Sequence, residues 1–275
     1  MIFHCGQYTL DLSRPRVMGI VNVTPDSFSD GGRFSATEAA VRHALKLVAE
    51  GADILDIGGE SSRPGAMPVP LDEELRRVIP VIEALKGKAG VPVSIDTYKP
   101  EVMRATAAAG ADIVNDIYAL QSPGALEAVA ETNVGVCLMH MQGNPQTMQA
   151  DPQYQDVVGE VADFLRARMA AAEEYGISRE RILLDPGFGF GKRRVHNIAL
   201  LRELETLCAL GRPVLVGLSR KSVLGQIVGA DVNARLHASL AAAVIAAMKG
   251  VRILRVHDVK ATVDALGVVS AVEGR

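Results

Sequence analysis

Three polar residues close short apolar segments of the chain: Asp96 ends "PVSID", Asn115 lies in "DIVND" and Asp185 ends "RILLD". A buried carboxylate needs hydrogen-bond donors, because burying it without them is costly. Carboxylates accept hydrogen bonds from N–H groups, and an amide both donates and accepts. Together the three side chains predict a site for a flat heterocycle with an amidine-like edge. General acid–base catalysis is the weaker interpretation, since nothing in the sequence places a water or a leaving group between two carboxylates.

Positive charge follows later apolar segments. Lys221 lies in "GLSRKS" and Arg255 in "ILRVHD", with His257 beside it. "GLSRKS" also brings N–H donors and hydroxyls to a helix start, which is a ready anion site. His140 ends the segment "GVCLMH" and is open to two interpretations, a satisfied structural histidine or a ligand.

The stretch "DPGFGFGK" contains three alternating glycines, at 187, 189 and 191. Their spacing is not the G-x-G-x-x-G of dinucleotide-binding folds. Lys192 precedes Arg193 and not the Ser or Thr that a P-loop requires. The glycines therefore match neither common phosphate-binding fingerprint.

The elements that must position these residues repeat along the chain. Apolar segments typical of buried strands lie at 17–21, 54–58, 92–96, 112–116, 135–140, 181–185, 213–219 and 253–258. Stretches with helical periodicity lie at 38–50, 72–86, 100–109, 157–175, 197–210 and 234–249. Continuous apolar strands indicate a parallel sheet buried on both faces. Their even spacing favours an α/β fold with a single TIM (β/α)8 barrel over an open doubly wound sheet.

Residues 1–15 are predicted to form a short hairpin before the first barrel strand, and residues 1–275 a single domain. Every predicted strand ends in polar groups at its carboxyl end, where TIM barrels carry their active sites. One such residue alone is most simply a helix cap, but eight together predict an active site. The loops at 22–35 and 60–70, rich in Gly, Pro, Ser and Asp, are candidate lids.

Composition excludes several classes of protein. The chain has 275 residues, is 48% hydrophobic and 22% charged, and carries a formal net charge of −3, so no basic surface points to nucleic acid. Its three cysteines, at 5, 137 and 208, have no metal or disulfide spacing. The stretch "MIFHCGQYTL" does not show the basic region and long apolar core typical of a signal peptide, and the apolar run at 240–248 is too short to cross a membrane. We expect a cytoplasmic protein with no membrane or nucleic-acid partner.

Eight segments resemble the bacterial dihydropteroate synthase family over essentially the whole chain. They are "MGIVNVTPDSFSDGG", "DIGGESSRPG", "SIDTYKPEV", "VNDI", "LMHMQGNPQTMQ", "DPGFGFGK", "SRKS" and "RVHDV". The resemblance implies a pterin-binding homodimer of TIM barrels that uses Mg²⁺. It also implies the reaction, in which dihydropterin pyrophosphate condenses with p-aminobenzoate in folate synthesis and pyrophosphate is released. Sulfonamides are expected to compete with p-aminobenzoate.

The resemblance also assigns residues. Pterin contacts are implied for Asp96, Asn115, Met139, Asp185, Gly189, Phe190, Lys221 and Arg255. Contacts with the diphosphate are implied for Asn22, Arg255 and His257, with Asn22 also ligating Mg²⁺. Ser62 and Arg63 are implied to contact either the diphosphate or the pocket of the incoming amine. Contacts with p-aminobenzoate are implied for Phe28, Pro64 and, at its carboxylate, Ser222. The catalytic set is expected to be Asn22, Arg63, Asp96, Lys221, Arg255 and His257.

Two positions depart from the family pattern. Ser62 stands where Thr is more usual and keeps the hydroxyl, whereas Tyr98 stands where a small residue is common and is expected to lie outside the site. Three other functions are weighed: a methyltransferase pterin module, a Schiff-base aldolase using Lys221, and a silent scaffold barrel. The first would not need the "SRKS" site, the second needs a desolvated lysine, and the third would have lost polar strand ends. We expect diphosphate and Mg²⁺ to order the two loops before p-aminobenzoate binds.

Overall fold

A hairpin opens the chain. The computed structural model describes residues 1–23, 33–63 and 65–274. Strands β1 (Ile2–Cys5) and β2 (Tyr8–Asp11) pair antiparallel, with Ile2 opposite Asp11. Gly6 turns the chain between them at a φ of 54°, a left-handed conformation that glycine adopts without strain. The predicted hairpin is confirmed.

Eight further described strands form a parallel barrel. They are β3 (Arg16–Asn22), β4 (Ile54–Gly58), β5 (Val93–Asp96), β6 (Ile113–Asp116), β7 (Gly135–Met139), β8 (Ile182–Asp185), β9 (Leu215–Val216) and β10 (Ile253–Val256). Their order is β8-β7-β6-β5-β4-β3-β10-β9, and a parallel bridge between Leu184 and Val214 joins the two outer strands. The (β/α)8 prediction is confirmed, although β9 is shorter than the predicted strand 213–219.

Helices alternate with the strands. They are α1 (Arg33–Ala49), α2 (Leu71–Leu85), α3 (Pro100–Ala109), α4 (Ala125–Ala130), α5 (Val157–Glu174), α6 (Arg194–Arg202), α7 (Leu204–Cys208), α8 (Ser222–Val228), α9 (Leu236–Met248) and α10 (Val259–Glu273). The predicted helix 197–210 is two helices, because Glu203 leaves helical geometry at φ −111° and ψ 27°. Among the helices the structure describes, none combines the length and apolarity that a membrane span requires.

The barrel strands are buried on both faces. Side chains that point outward pack under the helices in one continuous core, as do Leu55, Val136 and Leu184. Side chains that point inward near the amino ends of the strands form a separate apolar cluster, which we call the floor. Its members are Phe3, Cys5, Leu12, Met18, Ile54, Ile113, Cys137, Leu183, Leu215 and Ile253. The hairpin therefore closes the lower end of the barrel.

The inward face changes character two residues further along the strands. Because side chains alternate across a strand, residues i and i+2 share a face. Ile54, Ile113, Leu183 and Ile253 of the floor are thus followed by Asp56, Asn115, Asp185 and Arg255. We call these four residues, with Asp96 of β5, the polar layer. Strand register places them near the carboxyl end of the barrel, with Asp96 opposite Asn115.

Candidate functional site

Arg255 lies between two carboxylates of the polar layer. Its Nε donates to Asp56 Oδ2 at 2.6 Å and its Nη2 to Asp96 Oδ2 at 2.7 Å. Asn115 Nδ2 also donates to Asp56 Oδ2, at 3.2 Å. Burial raises the pKa of Asp96 to about 7, and the positive charge of Arg255 opposes that shift. The guanidinium therefore holds the predicted residues Asp96 and Asn115 in one network.

Asp56 was not among the predicted site residues. It is fully buried, and its Oδ1 has no hydrogen-bond partner among the described residues. Within "ILDIG" it lies inside an apolar strand, whereas the prediction considered strand ends. The signal that could have found it is strand alternation, since it follows the inward-facing Ile54 by two residues.

Asp185 lies in the polar layer with one oxygen tied to its own loop. Its side chain is 6% exposed, and Oδ1 accepts from Gly187 N at 2.7 Å. Burial raises the pKa of Asp185, while the nearby charge of Lys221 opposes the shift. The second oxygen accepts no hydrogen bond from the described residues. Asp185 can therefore accept a hydrogen bond from a ligand.

Lys221 enters the barrel from the loop after β9. Its Nζ donates to Phe188 O and lies 4.7 Å from the centre of the Phe190 ring. Burial lowers the pKa of Lys221 to about 8, and Asp185 opposes that shift. Lys221 thus supplies a cationic donor beside Asp185.

The alternating glycines of "DPGFGFGK" fold the loop onto a neighbouring backbone. Gly187 has a φ of 66°, and a Cβ there would lie 1.9 Å from His140 O. Gly191 has a φ of 61°, and a Cβ there would lie 2.5 Å from Gln142 O. Both positions exclude any other residue on steric grounds. The glycines therefore serve close backbone packing, and the chain segment they allow brings Gly189 and Phe190 over the barrel mouth.

Lys192 fills the middle of this loop. Its side chain is 3% exposed, and Nζ lies 2.8 Å from His140 Nδ1 and 3.0 Å from the carbonyl oxygens of Gly187 and Phe190. These acceptors favour a protonated Nζ, even though burial lowers the pKa of Lys192. Burial and the neighbouring lysine lower the pKa of His140 to about 3, so the imidazole is neutral. His140 is thus a structural histidine, the first of the two interpretations.

His257 is hydrogen-bonded to Ser219, whose Oγ lies 3.0 Å from His257 Nδ1. Burial and Arg255 lower the pKa of His257 to about 4, so without a diphosphate it offers a hydrogen bond and no charge. Arg220, in the predicted anion site, has a φ of 58° and donates instead to Asp258 through Nε at 2.9 Å. The left-handed turn at Arg220 therefore aims Lys221 inward and Arg220 away.

The remaining predicted residues are distributed around the mouth. Asn22 ends β3 opposite Gly58, whose other partner is Asp96. Met139 packs in a cluster with Ile117, Met141, Met148 and Phe190. Ser62, partly buried, and Arg63, exposed, follow β4. Ser222 is exposed at the first position of the short helix α8. Phe28, Pro64 and residues 24–32 of the first candidate lid lie outside the described residues.

The described part of the chain offers few ligands for a resident metal ion. Within residues 1–23, 33–63 and 65–274, no group of three or more His, Cys, Asp or Glu side chains is arranged to hold a metal ion. Two carboxylates of the polar layer, those of Asp56 and Asp96, are instead paired with Arg255. A magnesium ion in this site would therefore need ligands from a substrate as well as from the protein.

Comparisons with known proteins agree with this geometry. Residues 18–257 match the family of pterin binding enzymes. The dihydropteroate synthase of Escherichia coli is 56% identical over 263 residues, covering 96% of this chain and 93% of the relative. The crystal structure of the Yersinia pestis dihydropteroate synthase with a sulfonamide drug complex has a TM-score of 0.95 and 50% identity, covering all of both chains.

Two structures of the Xanthomonas albilineans dihydropteroate synthase are also similar. One, with 4-aminobenzoic acid, has a TM-score of 0.92 and 58% identity and covers 97% of this chain and 96% of that one. The other, with 7,8-dihydropteroate, has a TM-score of 0.92 and 54% identity over all of both chains.

Proposed function

We infer the function from one premise: the chain belongs to the dihydropteroate synthase family of pterin binding enzymes and is a transferase. We propose that it condenses 6-hydroxymethyl-7,8-dihydropterin pyrophosphate with p-aminobenzoate, releasing pyrophosphate and 7,8-dihydropteroate for folate synthesis. The observation that carries the proposal is the polar layer, where buried acceptors surround one guanidinium at the carboxyl end of a closed barrel.

The pterin would lie on the polar layer. Its ring-edge donors would meet Asp185, which has an oxygen free of described partners, and Asn115, whose Nδ2 is already committed to Asp56. Lys221 would donate to the carbonyl side of the ring, and Phe190, Met139 and Gly189 would wall the cavity. Because each polar group is nearly buried before ligand arrives, a ligand lacking matching donors leaves these groups unpaired, which is the basis of selectivity.

Pyrophosphate would leave before the amine attacks. An aryl amine is a weak nucleophile, whereas electron donation from the pterin ring stabilises a cation at the exocyclic carbon. The C–O bond to pyrophosphate would therefore break first in an SN1-like step, and the amine nitrogen would then form the C–N bond and lose a proton. Arg63 and Arg255 would supply positive charge to the leaving diphosphate, with hydrogen bonds from Asn22 and His257.

The second substrate would bind between the loops above the barrel. Phe28 and Pro64 would flank p-aminobenzoate, and Ser222 would receive its carboxylate. Relatives are solved with 4-aminobenzoic acid and with a sulfonamide drug complex. Both ligands are aryl amines with a polar group in the para position, so we expect sulfonamides to compete for the same space.

Magnesium would act with the diphosphate and supply positive charge to it. Mg²⁺ prefers oxygen ligands and usually keeps several waters beside one or two protein groups and substrate phosphates. The amide oxygen of Asn22, at the end of β3 near Asp96, fits this pattern as a single protein ligand. The pairing of Asp56 and Asp96 with Arg255 argues against a second one.

Two further proposals concern assembly and compartment. Apolar side chains are exposed on one face of α9, at Ile245 and Met248, and on one face of α10, at Val268 and Val272. These faces, on two helices that pack together, support a homodimer in which a second copy covers them. Sedimentation of Val268→Asp beside the unmodified protein tests the dimer, and a dimer in both would overturn the assignment of this surface.

The compartment follows from the cysteines. The three free cysteines fit the reducing cytoplasm.

Pyrophosphate release with each substrate omitted in turn tests the function. We expect release above background only when pterin pyrophosphate, p-aminobenzoate and Mg²⁺ are all present. Release that ignores p-aminobenzoate would point to hydrolysis and away from the synthase. Borohydride reduction with substrate should leave Lys221 unmodified, whereas an adduct there would favour the aldolase chemistry considered from the sequence.

A further inference from the structure

One carboxylate, that of Glu60, ties together the two ends of the loop that follows β4. Glu60 Oε2 accepts from Val69 N at 3.1 Å, across nine residues of chain. Glu60 Oε1 accepts from the hydroxyl of Tyr98 at 2.9 Å. We call residues 60–69 the second loop; Pro64 within it lies outside the described residues. The base of the second loop is thus closed on itself and fixed to Tyr98.

Tyr98 belongs to a different segment, the one that follows β5. It lies two residues after Asp96 of the polar layer. Its ring is partly buried and meets the edge of Tyr118, with centroids 4.9 Å apart and planes at 85°. Burial first, and the hydrogen bond to Glu60 second, raise the pKa of Tyr98, so its hydroxyl remains a donor at neutral pH. The ring is held by packing, which leaves the hydroxyl in one place.

Lys99 completes the arrangement. Its Nζ bonds Glu60 Oε2 and also Glu74 Oε2 of α2, whose side chain is 1% exposed. The single positive charge of Lys99 is thereby shared by two carboxylates. Glu74 Oε1 has no hydrogen-bond partner among the described residues. The lysine fixes Oε2 of Glu60 and the tyrosine fixes Oε1. Only the tyrosine contact can be removed without leaving a buried charge unpaired.

The second loop carries Ser62 and Arg63, two and three residues beyond Glu60. Ser62 is partly buried and Arg63 is exposed at the mouth. Further out, Gly65 N donates to Pro145 O at 3.1 Å, so the loop has a second contact that does not involve Glu60. The hydroxyl of Tyr98 and the ammonium of Lys99 therefore both link the base of this loop to the segment that follows Asp96, and the tyrosine bond is the one that can be removed while the ion pair remains.

We propose that Tyr98 is a positioning residue for the second substrate. Its hydroxyl, acting through Glu60, sets the second loop relative to the polar layer, so that Ser62 and Arg63 are in place when p-aminobenzoate arrives. This rests on the proposed function. It makes Tyr98, which the resemblance places outside the site, a determinant of amine capture and not of binding of the pterin ring.

The test removes one oxygen. In Tyr98→Phe the ring contact with Tyr118 remains and the bond to Glu60 is lost. We expect the KM for p-aminobenzoate to rise roughly three- to tenfold, the size expected when an ordinary hydrogen bond is lost. The affinity for a pterin analogue without the diphosphate, which contacts the polar layer and not the second loop, should not change. Tyr118→Phe is the matched control, because the Tyr118 hydroxyl bonds none of the described residues.

An equal loss of affinity for the pterin analogue, or an unchanged KM for p-aminobenzoate, would overturn the proposal. So would an equal effect of Tyr118→Phe, since that would assign the change to ring packing. Activity alone confounds this proposal with the proposed function. A second measurement therefore follows the loop directly.

The chain contains no tryptophan, and Met67, in the second loop, is 81% exposed. A Met67→Trp reporter gives one fluorophore on the loop. Adding Tyr98→Phe should lower its steady-state anisotropy, whereas adding Tyr118→Phe should not. Unchanged anisotropy overturns the anchoring role, even if the KM shifts. If unmodified protein releases no pyrophosphate, the proposed function fails, and the anisotropy still decides whether Tyr98 fixes the loop.

Discussion

The floor and the polar layer occupy successive positions on the same strands, and they differ in almost every physical respect. In the floor, Ile54, Leu183 and Ile253 are fully buried and apolar. Two residues further on, Asp56, Asp185 and Arg255 place charge at nearly the same depth. Apolar burial stabilises the fold, whereas desolvated charge costs stability unless it is paired. Apolar burial in the floor therefore offsets the cost of the desolvated charges in the polar layer, which are in position before a ligand binds.

Leu183→Ala removes packing in the floor and nowhere else, and its effect on the free energy of unfolding should be the largest of all. Removing a fully buried leucine side chain leaves a cavity and should lower the free energy of unfolding by about 2–5 kcal/mol. Urea titration followed by circular dichroism measures it. The variant that remains folded should keep the KM of the unmodified enzyme for both substrates. A changed pterin KM would show that the two layers are mechanically coupled.

Asp185→Ala breaks the polar layer at the next inward position of the same strand. Pterin N–H groups left unpaired should cost about 1–3 kcal/mol of binding free energy, measured by calorimetry with a pterin analogue. Stability should fall by much less than in Leu183→Ala. Asp116→Asn is the control, because that buried carboxylate accepts, among the described residues, only from its own loop, at Tyr118 N and Leu120 N. Unchanged pterin affinity in Asp185→Ala would refute the assignment.

Use of the pterin substrate at the polar layer should also depend on pH, through the charge of Lys221. Burial lowers the pKa of Lys221 to about 8, so the ammonium is present below that pH and is lost as pH rises through it. kcat/KM for the pterin substrate should therefore fall above pH 8, at most about tenfold per pH unit for one proton. Lys221→Arg should remove this alkaline limb, because its guanidinium stays protonated. Circular dichroism at each pH must show folded protein. A limb that persists in Lys221→Arg would belong to another group.

Ser62→Thr should have the smallest effect and sharpens the comparison at the rim of the site. The position is partly buried, both residues carry one hydroxyl, and we expect kcat/KM to change by no more than about 0.5 kcal/mol in transition-state free energy. Ser62→Val, in which the side chain has the shape of threonine but no hydroxyl, should lose more activity. Equal activity in the two variants would leave the hydroxyl without a role.

Strand ends are predictable because the apolar pattern stops at a polar residue, as it does at Asp96, Asn115 and Asp185. Asp56 was missed because a single carboxylate inside "ILDIG" leaves the segment looking like an ordinary buried strand. Its role depends on Arg255, which lies 199 residues away in sequence. Such pairing follows from barrel closure, which no local pattern encodes.

The glycine loop shows the same limit. A sequence pattern can reject the phosphate fingerprints, but it cannot show that Gly187 meets the backbone at His140. The burial of Lys192 is not predictable from the sequence, since lysine is almost always exposed and the acceptors around Nζ are supplied only by the folded loop. The short helices α4 and α8 have too few residues to display a period of 3.6.

Closure of the barrel has a consequence for how the chain is made. Strand β3 pairs on one side with β4, nearby in sequence, and on the other with β10, where Ile253 lies opposite Arg16. During synthesis one edge of β3 thus stays without its partner until nearly the whole chain has left the ribosome. Contacts of such long sequence separation form slowly, and an open strand edge invites pairing with other chains. We therefore expect ring closure to be late in folding, and nascent chains that stop before β10 to be prone to aggregation.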